Sequence, residues 1–189
     1  MNKITSSSTN VAASEQELGT LRNQIDALDQ QLLDLLNQRA RVAQRVGDIK
    51  RQAGSPFYRP DRVAQVLSKM QSANRGPLLN NHVSSIWREI TSACLALEAP
   101  QRVAVLGPEG TFCEQAAIDY FGSAAELIYC SNFDEVFHST TAGTTQFGVV
   151  GVENSTEGAV ARSLDLFLRS PVHVIGEISL LIRHNLMRQ

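Results

Sequence analysis

Six charged side chains in the first hundred residues would bind a small dianion if the fold gathered them: Arg22, Arg39, Lys50, Arg59, Arg62 and Glu98. Arg39 breaks a helical series. Positions 18, 21, 25, 28, 32, 35, 39, 42, 46 and 49 follow one another at 3-4 spacing, and all but Arg39 are Leu, Ile or Val. A guanidinium in such a seam is costly to bury unless an anion meets it. At about 100° per residue, Lys50 lies within about 20° of the face that carries Arg39. Arg22 sits on the edge of the same helix. Arg59 and Arg62 fall where a second helix would begin. Glu98 falls near the end of a third, in line with Ile90, Cys94 and Leu97. Buried cations facing one carboxyl suit a dicarboxylate. Two plainer readings stay open: each charge on a solvated face, and a coiled coil whose Arg39 snorkels to water.

The elements that must position these groups are helices. The seam predicts one long helix over about 14–52, with Ser14 as N-cap and Glu15 and Glu17 in its first turn. At 1.5 Å per residue it is roughly 57 Å long. Gly54, Ser55 and Pro56 stop it. Pro60 suits a first helical position. A second helix over 61–73 then presents Val63, Val66, Leu67 and Met70 on one face. After Asn74-Arg75-Gly76-Pro77, a third over 78–99 turns Val83, Ile86, Trp87, Ile90, Cys94 and Leu97 inward. The long helix cannot cover its own seam, so a second copy of the chain is the natural partner.

Bulk properties narrow the class. With 43% hydrophobic and 19% charged residues, the 189-residue chain suits a soluble globular protein of one or two domains. Residues 15–99 hold 11 basic and 9 acidic side chains and residues 100–189 hold 5 and 10, which argues against a nucleic-acid partner. No apolar run is long enough to span a membrane. Cys94, Cys113 and Cys130 are odd in number and lack metal-ligand spacing, so a reducing cytoplasm is expected and no metal. Residues 1–14, rich in Ser, Thr and Asn, read as a disordered tail.

The runs Leu21-Arg22, Ile25-Asp26-Ala27-Leu28-Asp29, Leu35-Leu36-Asn37-Gln38-Arg39, Val46-Gly47-Asp48-Ile49-Lys50 and Pro56-Phe57-Tyr58-Arg59-Pro60-Asp61-Arg62 resemble the all-helical chorismate mutase family. Ile86-Trp87-Arg88-Glu89-Ile90 and Cys94-Leu95-Ala96-Leu97-Glu98 extend the match. The likeness is to the mutase domain of the bifunctional chorismate mutase/prephenate dehydratases and covers nearly all of 15–99. It implies an intertwined dimer of three-helix subunits and a pericyclic conversion of chorismate to prephenate that needs no cofactor. By position, Arg22 of the partner subunit, Arg39 and Arg62 would hold carboxylates. Arg59 would line the site, and Lys50 would donate to the breaking ether oxygen. Glu98 would be a second donor, competent only when protonated, so mildly acidic pH is expected to favour the reaction. One position departs: the family has Glu where Val63 follows Arg62. A ring hydroxyl without that partner costs about 1–3 kcal/mol. Weaker binding is expected, with a gain on restoring Glu at 63.

After Ala99-Pro100-Gln101 the periodicity changes. Short apolar runs at 102–106, 127–130, 147–152 and 172–182 read as strands. Helices are expected over 112–121, 132–140 and from 158 to about 169. Alternation of this kind predicts a doubly wound, mostly parallel sheet, with ligands at the C-terminal ends of its strands. The turns 107–111 and 153–158 fall there. Gly107-Pro108-Glu109-Gly110-Thr111-Phe112 with Gln115-Ala116-Ala117, and Val152-Glu153-Asn154-Ser155-Thr156-Glu157-Gly158 with Leu164-Asp165, resemble the prephenate dehydratase domain. The resemblance implies the first lobe of a periplasmic-binding-protein-like fold over 100–189, with Thr111, Glu153, Asn154 and Ser155 lining a prephenate cleft. Cys113 stands where the family has Ser, and Gly151 where it has Pro. The family's Thr-Arg-Phe motif is absent from these residues, so an incomplete lobe without dehydratase activity of its own is expected. The overall expectation is a dimeric, cytoplasmic chorismate mutase of phenylalanine biosynthesis. The competing reading is a silent, dimeric anion-binding module.

Overall fold

The computed structural model describes residues 5–182, with side chains from 14 to 182. The first four residues of the expected tail, and 183–189 of the expected second domain, lie outside the described residues. The elements are α1 (Thr5–Ala53), α2 (Pro60–Ala73), α3 (Asn80–Glu98), β1 (Arg102–Leu106), α4 (Phe112–Phe121), β2 (Glu126–Cys130), α5 (Phe133–Thr141), β3 (Phe147–Val149), β4 (Glu153–Asn154), β5 (Gly158–Ala159) and α6 (Ala161–Arg169). The chain divides into two compact units, Met1–Val42 and Ala43–Gln189.

In the first unit the described chain is α1 alone. The helix begins at Thr5, so Ser14 lies inside it and is not its cap. No Gly or Pro interrupts the sequence before Gly19, and nothing local stops the helix earlier. The predicted seam is present and bare. Leu18, Leu21, Ile25, Leu28, Leu32, Leu35 and Val42 are each 48–60% exposed.

The second unit holds the end of α1 and everything after it. Helices α2 and α3 pack as a pair. Val63, Val66, Leu67 and Met70 are the half-covered residues that the 3-4 spacing predicts, and the Gln71 side chain donates to Ser84 Oγ at 2.6 Å. In the turn between them, Asn74 Nδ2 donates to the Leu78 carbonyl at 2.8 Å. On α3, Val83 and Cys94 are buried, but Ile86 and Leu97 remain exposed, against the expectation that they turn inward.

The α/β region is a three-stranded parallel sheet in the order β2-β1-β3, with Val103 opposite both Leu127 and Phe147. Its central strand is covered on both faces, as a continuous apolar run requires. Val103 and Val105 meet Ala117 and Phe121 on one side, and Ala104 meets Cys130 and Val136 on the other. Two expectations fail. Glu153 and Asn154 form half of a small antiparallel pair with Gly158 and Ala159, and α6 starts only at Ala161. The run 172–182 is not a strand, because no described strand lies beside it to satisfy its backbone. Among the described residues, no helix is long and apolar enough to cross a membrane.

Candidate active site

The last turn of α1 delivers Lys50 to the end of α3. Its ammonium donates to Glu98 Oε2 at 2.6 Å and to the Phe57 carbonyl at 2.8 Å. The pair is well shielded, with the Lys50 side chain 21% and that of Glu98 8% exposed. Gly47, one turn earlier, makes the approach possible. A Cβ there would lie 2.9 Å from the Glu98 Cα, closer than atoms tolerate. Gly47→Ala is therefore expected to push α1 off α3 and lengthen the Lys50–Glu98 contact. The cost is about 1–3 kcal/mol of overpacking, read as a lowered denaturation midpoint. Arg51 completes the corner. Its guanidinium donates to the Glu98 carbonyl at 3.0 Å, meeting one orphan acceptor at the end of α3, and lies 5.8 Å from the Phe57 ring centre.

Of the predicted site residues, the structure thus brings Lys50 and Glu98 into contact. Arg59 precedes α2, is exposed and pairs with Asp61 at 3.1 Å. Arg62 is exposed in the first turn of α2. Arg22 is exposed and Arg39 half-buried, both on α1 in the first unit. Val63 packs against the apolar cluster around Tyr58, Val103, Val105, Ala117 and Phe121. Glu at 63 would set a carboxylate against that cluster, at a desolvation cost that offsets the expected gain.

Sequence reasoning missed Gly47, Arg51 and the Phe57 carbonyl. A glycine inside a helical run signals close approach, but Arg51 lies off the seam and a backbone acceptor leaves no trace in side-chain types. Tyr58 is the fourth omission. It is buried in the α/β cluster with its ring centre 5.2 Å from that of Phe121 and 5.1 Å from that of Phe147. Burial pushes its phenol above the ordinary tyrosine range, Tyr120 adds to the effect, and Arg88 opposes it.

A second group of predicted residues lies beyond the C-terminal ends of β1 and β3, which are neighbours in the sheet. Thr111 caps α4. Its hydroxyl accepts from the Glu114 N–H at 3.3 Å and donates to the Leu106 carbonyl at 2.7 Å, leaving one lone pair for a ligand. Glu114 in turn accepts from the Gly110 N–H at 2.6 Å. Glu153, Asn154 and Ser155 are exposed, and Asn154 Oδ1 accepts from the Thr156 N–H at 2.8 Å. Cys113 and Gly151, the two departures within the second region, meet each other. Burial pushes the Cys113 thiol up, and backbone hydrogen bonds with Gly151 and Leu106 pull it the other way.

Residues 21–99 match the family model described as chorismate mutase type II, and residues 103–189 the one described as prephenate dehydratase. The bifunctional chorismate mutase/prephenate dehydratase of Pseudomonas aeruginosa is 48% identical over 180 residues, 93% of this chain and 49% of that protein. Its namesake from Neisseria gonorrhoeae is 44% identical over 168 residues, 89% of this chain and 46% of that one. In Aquifex aeolicus the figures are 41% over 176 residues, 91% and 49%. The chain spans about half the length of the curated relatives it matches. With both regions present, in the same order and at this identity, the chain belongs to the bifunctional chorismate mutase/prephenate dehydratase family.

Proposed function

We propose that this chain converts chorismate to prephenate, as a cytoplasmic homodimer on the route to phenylalanine. The shielded contact of Lys50 with Glu98 and the Phe57 carbonyl carries the reading. The reaction is an intramolecular rearrangement. It needs the substrate folded into its reactive shape and charge stabilised on the departing ether oxygen. Lys50 supplies a fixed cation for that oxygen. Glu98, when protonated, supplies a second hydrogen bond to it. Arg39 and Arg62, with Arg22 of the partner subunit, hold the two carboxylates, and Arg59 lines the entrance. The bare seam of α1 supports the dimer. Burying each exposed Leu or Ile contributes about 1.5–3 kcal/mol, and an interface of this kind lets one subunit lend Arg22 to the other.

By the same reading residues 15–99 form the mutase domain. Residues 100–189 contribute the first lobe of a periplasmic-binding-protein-like dehydratase fold, with prephenate facing Thr111, Glu153, Asn154 and Ser155.

The test is direct loss of chorismate in the purified 189-residue chain. Glu98→Gln, which offers a donor without needing a proton, is expected to keep turnover within about tenfold of wild type, and Glu98→Ala to lower it by about 10²-fold. A wild-type chain that consumes no chorismate sinks the reading and leaves the silent anion-binding module. Unchanged turnover in Glu98→Ala removes Glu98 from its assigned role.

A further inference from the structure

The segment 57–59 faces two ways. The Phe57 carbonyl holds the Lys50 ammonium, while the next side chain, Tyr58, is buried in the α/β cluster beside Phe121 and Phe147. Of its neighbours, the Phe57 side chain is half-covered and Arg59 is exposed. The Phe57 carbonyl and the Tyr58 Cα belong to one planar peptide unit. Fixing Tyr58 therefore fixes the direction in which that carbonyl points. Phe121 and Phe147 also meet each other, with ring centres 5.0 Å apart, so Tyr58 enters a three-ring aromatic group.

The other partner of Lys50 is tied to the same region. Helix α3, which ends at Glu98, is fastened at its middle to the turn after α4. The Glu89 carboxylate accepts from the Ser123 N–H at 3.2 Å and from its hydroxyl. Ser92 Oγ accepts from the Ala124 N–H at 3.2 Å. Gly122, at a φ of 86°, leaves no room for a side chain against Ser92. Both acceptors that aim the ammonium are thus held from the α/β region.

We propose that Tyr58 is a positioning residue for the rearrangement, through which the α/β region sets the geometry of Lys50. The inference rests on the mutase reading above. It assigns that region a task independent of any chemistry at its own turns: keeping the lysine of the helical site pointed at substrate. Tyr58 touches neither substrate nor reacting atoms, and acts only through the Phe57 carbonyl.

The experiment compares Tyr58→Ala, Tyr58→Phe and Phe147→Ala in the full chain with Leu166→Ala, a buried residue of α6 outside the cluster. Each variant is assayed for kcat and KM with chorismate and for hydrogen exchange over 54–60. Tyr58→Ala and Phe147→Ala are expected to lower kcat about tenfold or more, with KM within about twofold. Both should speed exchange over 54–60. Tyr58→Phe keeps the ring and should restore kcat and exchange, and Leu166→Ala should leave both unchanged. Equal effects from Leu166→Ala and Phe147→Ala would reduce the role to general stability and overturn the proposal. So would a Phe147→Ala chain with unchanged kcat and exchange. If the wild-type chain consumes no chorismate, the mutase reading falls, and exchange over 54–60 alone decides the coupling.

Discussion

Lys50→Ala is expected to lower kcat for chorismate by about 10²–10³-fold, the usual cost of removing one preorganised donor from a developing oxyanion. The structure holds the ammonium with two acceptors, at 2.6 Å and 2.8 Å. Truncation removes it and strands both acceptors. Glu98, 8% exposed at its side chain, then lacks its cation. Breaking a buried pair from one side costs about 3–5 kcal/mol. Lys50 keeps some contact with water, so the low end applies. A melting temperature lowered by roughly 6–12 °C should accompany the kinetic loss. Lys50→Arg keeps the charge but replaces a compact ammonium with a planar fork, which cannot reproduce the two contacts. It should regain stability and little turnover. A Lys50→Ala chain that retains more than a tenth of wild-type kcat would remove Lys50 from the reaction.

Mixing two dead variants is expected to restore turnover. If each site takes Lys50 from one subunit and Arg22 from its partner, Arg22→Ala and Lys50→Ala each ruin both sites of their own homodimer. A mixed dimer has one site with both residues intact and one with neither. Unfolding the two together and refolding at equal concentrations gives half mixed dimers, so about a quarter of wild-type activity should return. Against the residual activity of Lys50→Ala, that is a rise of at least about 25-fold. The seam of α1 is the reason to expect exchange of this kind. Its apolar residues from Leu18 to Val42 are uncovered in a single chain, and a bare stripe of that length demands a second helix. Absence of recovery, in a sample whose mixed dimers are demonstrated by mass, would mean that each subunit builds its site alone.

The parts of this molecule that were legible in the sequence are those that repeat. The half-covered apolar face of α2, Val63, Val66, Leu67 and Met70, follows from 3-4 spacing, and the bounds of α4 follow from a Thr cap at one end and Gly122 at the other. Lys50 and Glu98 were legible as a resemblance, and the structure places them in contact. What failed depended on neighbours distant in the chain. The run 172–182 has the composition of a strand, but a strand exists only beside another, and its composition does not supply one. Tyr58 sits within a stretch that reads as part of the helical site. Its burial is decided by Phe121 and Phe147, far along the chain, and no local pattern reports them.

The seat of Tyr58 also bears on the order in which the molecule acquires its parts. Helices close through near neighbours and form early, whereas a parallel sheet must first bring distant segments together and forms late. During synthesis the N-terminal helices emerge first. The aromatic socket that receives Tyr58 does not exist until β1, α4 and β3 have assembled. Lys50, which precedes the sheet in the chain, is therefore among the last groups to reach its working posture, and a nascent chain stopped after α3 would carry its helices with that corner still loose.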